Sequence, residues 1–442
     1  MKSKKIISIT MLICLIIIGI YSPIHSFFPT HKTGSFLKAL SLKSSFAKDI
    51  CPKSQTSDDY EKNKIILEGV PKEDRALEDM EDTIDEISKL GMSRQDREEM
   101  KKSIELAQNK KGRTYALATI PEGTTVSDTI EVLEDSKPVK EGKVRVQPNY
   151  MYRLADIKAF TSYNGDSSAA AKFNWHLTNV NCKLANNYVR QNAVNDVPVK
   201  IGVIDTGAQI NHPALKSSIN KKLSISLSNK SNYTKLKKDK GVHGTHVAGI
   251  IAGKNIPGKK WRGIAYGSAS IVAVDASSYY YNDIVFYTFD LISALNYCRD
   301  SGCKIINMSL SGTGRDTVLE KALESIDKSG ILVVCAAGND NSKNYVYPGD
   351  IPTTLSICNT NIENKRYDST VDGSNYGYDK SMSAPGTNIY SSIPNGNYAF
   401  MTGTSMSSPL VAGTAVLMLK VNPELTNRDL KVILKIYISG YR

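Results

Sequence analysis

The chain has 442 residues, 41% hydrophobic and 23% charged, which is enough apolar material for two or three domains with real cores and excludes a disordered chain. Its formal charge of +12 raises nucleic acid or an anionic membrane as a partner. Much of that excess lies in residues 216–240, rich in Lys, Ser and Asn and without an aromatic run or nucleic-acid motif. That stretch reads as a solvated surface insertion, so no nucleic-acid partner is expected.

At the N-terminus, Lys2, Lys4 and Lys5 precede an apolar run over 6–20. This is the layout of a secretory signal peptide, assigned to residues 1–26. The run is short for a membrane span, so an uncleaved anchor is the lesser reading and no stable membrane partner is expected. The expected location is secreted or at the cell envelope. Residues 27–110 form a charged region with helical spacing at 82–90 and 96–107. Residues 111–155 combine a strand-like run at 115–120, a helix at 126–133 and a closing strand at 143–152, a small α+β unit. Residues 156–174, with Gly165, Ser167, Ser168 and three alanines, read as a linker.

From 175 to 442 the texture changes. Apolar strands at 199–204, 269–274, 304–310, 331–336 and 354–358 are interleaved with helices at 243–252, 283–299 and 316–329. Helices at 404–421 and 427–436 follow. This pattern predicts an α/β fold with a mainly parallel central sheet covered on both faces. The seven cysteines have neither zinc-like spacing nor that of a disulfide scaffold. Cys335 and Cys358 fall in apolar runs and read as buried thiols, whereas Cys298 and Cys303 are near enough in sequence for a bridge.

Three segments carry chemistry. Val203-Ile-Asp205-Thr-Gly207 places an acid at the carboxyl end of a buried strand, where α/β sheets build their sites, although a turn aspartate fits equally. His243-Gly-Thr-His-Val-Ala-Gly249 opens a helix with a histidine between small residues; no acid stands at zinc-protease spacing, and His246 reads as a packed helix residue. Gly403-Thr-Ser405-Met-Ser-Ser-Pro409 sets a serine in a first helical turn, where a helix-capping serine is the ordinary reading. Serine becomes a nucleophile only with a base such as neutral histidine in reach, and the histidine needs a carboxylate to fix its tautomer.

The order Asp, His, Ser is that of subtilisin, and all three segments resemble the signature blocks of the subtilisin-like serine proteases, the subtilases, over residues 175–436. The resemblance implies catalytic roles for Asp205, His243 and Ser405. It makes Asn339, closing Val333-Val-Cys-Ala336-Ala337-Gly338-Asn339, the oxyanion donor beside the Ser405 N–H. It implies that Ser309, Leu310 and Ser311, with Ala336, Ala337 and Gly338, bind substrate. The family usually has glycine at Ser311, so a side chain there crowds the first specificity pocket. Asp340 is expected at the pocket rim, favouring basic groups.

The family also usually carries a calcium-binding aspartate at the position of Ala214, and alanine offers no side-chain oxygen. No cofactor is expected to be required and no metal is expected at Ala214; a weak calcium site elsewhere is left open. Residues 111–155 resemble a subtilase prosegment, an intramolecular inhibitor of the catalytic domain at 175–442. Processing is then expected between Tyr152 and Asn174, before Gly165. The ending after Ile436 lacks the family's usual closing strand and helix. The expected activity is serine-type endopeptidase hydrolysis of proteins or peptides by an autoprocessed zymogen. The alternatives are a dedicated processing protease for a secreted peptide and an inactive binding protein of the same fold.

Overall fold

The computed structural model describes residues 59–69, 76–86, 93–108, 114–155, 161–162, 173–227, 231–232, 241–254, 261–281 and 283–438. The signal-peptide assignment at 1–26, the linker at 156–160 and 163–172, and Cys14 and Cys51 lie outside these residues. So do most of the basic stretch at 228–240 and the last four residues.

The apolar runs of the C-terminal region assemble as their composition requires. An eight-stranded sheet runs in the order Met382–Pro385, Thr354–Thr360, Leu332–Ala336, Ile305–Met308, Val199–Asp205, Ala269–Asp275, Ile225–Ser226, Ser231–Asn232. All neighbours are parallel except the last pair. Every residue of Leu332–Ala336 and Thr354–Thr360 is buried, because helices cover both faces. One core holds Val247, Ile251, Leu410, Val416 and Leu417 from helices Val242–Ala252 and Thr404–Val421. The other holds Leu291, Leu295, Leu319 and Leu323 from helices Thr288–Asp300 and Thr317–Lys328. Among the described residues, only Thr404–Val421 is long and apolar enough to cross a membrane, and 94% of its apolar window is buried inside the protein. Cys182, Cys298, Cys303, Cys335 and Cys358 are buried free thiols, so Cys298 and Cys303 are not bridged. Cys298 instead packs where Gly202 leaves room: a Cβ on that glycine would meet its Sγ at 2.5 Å.

Three elements differ from the sequence reading. Residues 283–299 are not one helix, because Asp283–Tyr287 is a strand and the helix begins at Thr288. The run Ile284-Val-Phe-Tyr287 is β-branched and aromatic and fits a pleated surface better than a helix face. Residues 304–310 are not one strand either. Ile305–Met308 stays in the central sheet, and beyond Ser309 the pair Leu310–Ser311 joins another.

The third difference is N-terminal. The charged region 27–110 is not purely helical: Tyr60–Gly69 is a strand pairing with both Thr114–Thr119 and Val144–Leu154, and the helical spacing read at 96–107 ends at Lys102, with Glu105–Gln108 a strand on Thr114–Thr119. The division at residue 110 therefore cuts through one sheet. The strand's charges had masked it: Ile65, Ile66 and Leu67 are fully buried, and the buried Glu68 is paired with Arg145 at 3.0 Å. Helices Ala76–Asp85, Arg94–Lys102 and Val126–Glu134 belong to this unit; Met80, Ile84, Met100, Val126 and Leu133 close its core against Ile65 and Leu67. Thr125 caps the third helix by accepting the Asp128 N–H at 3.1 Å.

The strand Val144–Leu154 belongs to both parts of the molecule. Its first half pairs with Tyr60–Gly69. Its second half runs between Asp283–Tyr287 on one side and Leu310–Ser311 on the other, antiparallel to both.

His176, His212, His243 and His246 are all buried in the C-terminal region, and desolvation acts furthest on His246 and His176. His246 places its Nε2 3.1 Å from the Ala399 carbonyl, and burial lowers its pKa to about 3. His176 is likewise buried and lowered to about 3 by desolvation. Both are neutral in the folded chain, and an unfolded histidine titrates near 6.5. Their contribution is present above about pH 6.5 and is lost as pH falls from there toward about 3, at up to about 1.4 kcal/mol per pH unit per proton. The urea midpoint should fall with pH over that window. His176→Phe should flatten the slope; an unchanged slope would remove His176 from this account.

Candidate active site

Asp205 is the last residue of Val199–Asp205, and its Oδ1 accepts the Thr206 N–H at 2.7 Å as the chain turns. His243 is the second residue of the helix Val242–Ala252. Its Nδ1 lies 2.8 and 3.0 Å from the two Asp205 carboxylate oxygens. Both residues are almost fully buried, at 3% and 1% exposure, so little water competes for the pair. An ionised carboxylate only accepts, so Nδ1 carries the proton and the neutral ring's Nε2 is left basic. The helix can approach this closely because residue 244 is glycine: a Cβ there would meet the Gly207 carbonyl oxygen at 1.9 Å. The Gly244 N–H also donates to the Thr206 hydroxyl at 3.0 Å.

Ser405 is the second residue of the helix Thr404–Val421, which packs against the histidine helix. Pro409, four residues on, has no N–H to give the Ser405 carbonyl. The Ser309 hydroxyl donates to that carbonyl instead, at 2.9 Å. Ser309 also accepts from Asn307 Nδ2 at 2.9 Å, so the serine turn is held from outside its own helix. The Ser405 hydroxyl donates to the Ser309 carbonyl at 3.0 Å.

Asn339 Oδ1 accepts the Thr404 N–H at 3.0 Å. That bond orients the amide, leaving Nδ2 buried and without a partner among the described residues. Gly338, at φ +88, donates its N–H to the Thr404 hydroxyl at 3.1 Å. Asn339 is thus bound to the residue that precedes Ser405.

The cleft holds the chain's own segment 151–155. The Ser405 N–H donates to the Ala155 carbonyl at 3.0 Å, and the Ala155 N–H reaches the Ser309 carbonyl at 3.4 Å. Leu154 lies opposite Leu310 and Arg153 opposite Ser311. On the other edge, Arg153 faces Val285 and Tyr152 faces Phe286. Ser309, Leu310 and Ser311 therefore flank the segment. Ser311 meets it through strand pairing opposite Arg153, two residues from the chain at Ser405. Ala336, Ala337 and Gly338 connect the strand Leu332–Ala336 to Asn339 and make no hydrogen bond to the segment. Asp340 is held by Asn375, whose Nδ2 donates to it at 3.0 Å, and the residue whose carbonyl meets the Ser405 N–H is Ala155.

Sequence reading missed the strand Asp283–Tyr287, and it missed Asp316. The first had a signal in its β-branched and aromatic residues. The second had none beyond a helix start, because its partners Gln147, Tyr152 and Thr288 are distant in sequence.

Ala214 is fully buried beside Trp261 and Tyr390, with Phe173, Tyr398 and Phe400 packed around them. None of these six side chains is a carboxylate. Among the described residues no group of three or more His, Cys, Asp or Glu is placed to hold a metal.

Comparison with known proteins gives the arrangement a context. The cell wall-associated protease of Bacillus subtilis is 33% identical over 251 residues, 57% of this chain and 26% of the relative. The chain thus spans about a quarter of that protein's length. Subtilisin of Bacillus pumilus is 32% identical over 244 residues, 53% of this chain and 81% of the relative. A solved cold adapted subtilisin-like serine proteinase matches with a TM-score of 0.45 at 30% identity, covering 55% of this chain and 82% of that one. The model of the subtilase family matches residues 197–436, a stretch that contains Asp205, His243, Asn339 and Ser405 together with every strand and helix that holds them. On that extent of agreement the chain belongs to the subtilase family of serine-type endopeptidases.

Proposed function

We propose that this chain is an extracellular serine endopeptidase that hydrolyses proteins or peptides and is made as a self-cleaving zymogen. The observation that carries the reading is the Ala155 carbonyl on the Ser405 N–H at 3.0 Å, beside a buried Asp205–His243 pair at 2.8 Å. A carbonyl so held has its oxygen where a developing oxyanion would be stabilised. The apolar run behind Lys2, Lys4 and Lys5 supports export, and a relative is named for its cell-wall association.

In the proposed reaction the Ser405 hydroxyl turns from the Ser309 carbonyl toward His243, which takes its proton as Oγ bonds to the substrate carbonyl carbon. Asp205 keeps the Nδ1 proton in place and stabilises the imidazolium. The Ser405 N–H and Asn339 Nδ2 share the negative charge on oxygen. His243 then protonates the leaving amine, and a water molecule repeats the sequence on the acyl-enzyme to free the acid product. The segment 144–155, lying in the cleft as a substrate strand would, supports its reading as an intramolecular inhibitor.

No cofactor enters this chemistry, and we extend the reading to calcium: the aromatic packing about Ala214 replaces the family's usual site. In crystals soaked with calcium, density beside Ala214 should show no ion; a coordinated ion there would refute this.

Mass spectrometry of the purified chain should show a cleaved N-terminal unit for the wild type and an uncut chain for Ser405→Ala. Normal cutting by the purified variant would sink the assignment of Ser405. Asn339→Ala should lower kcat by about 10²–10³, the range known for losing one oxyanion donor in subtilisin, with a smaller change in KM. A loss confined to KM would assign Asn339 to ground-state binding instead.

A further inference from the structure

Asp316 is buried at 0% exposure and lies outside the machinery above. It caps the helix Thr317–Lys328, accepting the Leu319 N–H on Oδ1 at 2.8 Å. Its remaining bonds come from two sources. Thr288 donates to Oδ2 from within the C-terminal region. The N-terminal unit supplies the others: Gln147 Nε2 donates to Oδ1 at 2.8 Å and the Tyr152 hydroxyl to Oδ2 at 2.7 Å. Burial pushes the carboxyl pKa above the usual carboxylate range, and these bonds oppose that.

The position of Tyr152 in the cleft gives this contact its meaning. Ala155 carries the carbonyl held by Ser405, so Tyr152 is the fourth residue back from the bond that would be cut. The inserted residues are not equally enclosed: Tyr152 and Ala155 are 1% and 2% exposed. Arg153 between them is exposed and Leu154 half-buried. The Tyr152 ring lies over Gly312, where a Cβ would come within 2.8 Å of its Cδ1. The ring joins a core containing Phe286, Leu310 and Tyr347, and only its hydroxyl meets a charge.

We propose that Asp316 is a specificity-determining residue that reads a tyrosine hydroxyl at the fourth position before the scissile bond. Preferred substrates then have the form Tyr-X-X-Ala, and the chain's own cut falls between Ala155 and Asp156. The proposal rests on Ser405 being the nucleophile. In that cut Ser405 Oγ bonds to the Ala155 carbonyl carbon and the Ala155–Asp156 bond breaks. The departing amine of Asp156 takes the proton held by His243. Water then releases Ala155 as a carboxylate.

Once the N-terminal unit departs, Gln147 and Tyr152 leave with it, while Thr288 and Leu319 keep their bonds to Asp316. The carboxylate at the base of the pocket then lacks a donor that a substrate tyrosine restores. A phenylalanine fills the same apolar space but brings no donor, and a site built around a hydroxyl discriminates strongly against a ligand that lacks it.

The test uses the chain after self-cleavage and two quenched peptides, Tyr-Arg-Leu-Ala-Asp and Phe-Arg-Leu-Ala-Asp, with fluorophosphonate labelling of Ser405 run beside them. The expected result is a kcat/KM at least about tenfold higher for the tyrosine peptide, cleavage after alanine in both, and a new N-terminus at Asp156 in the mature protein. Asp316→Asn keeps an oxygen to cap the helix, and it should bring the tyrosine-to-phenylalanine ratio toward one, which a purely structural role would not do. Equal rates on the two peptides by a labelled, active enzyme would overturn this proposal alone, as would a mature N-terminus elsewhere. Absence of labelling would overturn the nucleophile assignment and this proposal with it.

Discussion

Much of the molecule is arranged around the insertion of one strand end between two others. Residues 151–155 pair on both edges, with Asp283–Tyr287 and with Leu310–Ser311, and end with the Ala155 carbonyl on the Ser405 N–H. Each backbone hydrogen bond is worth only about 0.5–1.5 kcal/mol net. Here several act together with the burial of Tyr152 and Ala155, and all of them depend on one register. A slip of one residue would take the Tyr152 hydroxyl from Asp316 and the Ala155 carbonyl from the Ser405 N–H.

The same strand does structural work above the cleft. Two helices of the C-terminal region have N-terminal N–H groups that their own caps do not all satisfy. Asn149 Oδ1 accepts the Phe289 N–H at 3.1 Å, and Gln147 Oε1 accepts the Val318 N–H at 3.1 Å. Both side chains are buried and both come from the N-terminal unit. The second helix is also capped from within by Asp316, which the N-terminal unit contacts in turn. The N-terminal unit thus completes helix starts on which one face of the central sheet depends, and it occupies the cleft with the end of the same strand.

The candidate catalytic groups are positioned by close approach more than by long side chains. Asp205 and His243 meet because Gly244 has no Cβ to strike Gly207. The Ser405 turn is held by Ser309 because Pro409 removes the helical partner of its carbonyl. Asn339 is oriented through the N–H of Thr404. Each device joins the carboxyl end of a parallel strand, or the loop beyond it, to the start of a helix, the place where open α/β sheets gather their ligands. Shifting any of these elements would disturb its neighbours, since both cores are closely packed.

By itself the sequence determined the candidate residues and most of the elements that carry them. Continuous apolar runs, 3.6-residue periodicity and three short motifs are local properties, and they sufficed for the parallel sheet, the long helices and the candidacy of Asp205, His243, Asn339 and Ser405. Tertiary structure alone decided what fills the cleft and what reads it. Tyr60–Gly69 hid behind its charges, because its burial depends on strands far along the chain. Asp283–Tyr287 ran into a helix with no break in the apolar pattern, and its pairing with Ser277–Tyr280 and with residues 151–153 shows it to be a strand. Asp316 looked like any helix cap until the fold brought Gln147, Tyr152 and Thr288 to it. Side-chain chemistry is written residue by residue, but register and encounter across more than a hundred positions are fixed only when the chain has packed.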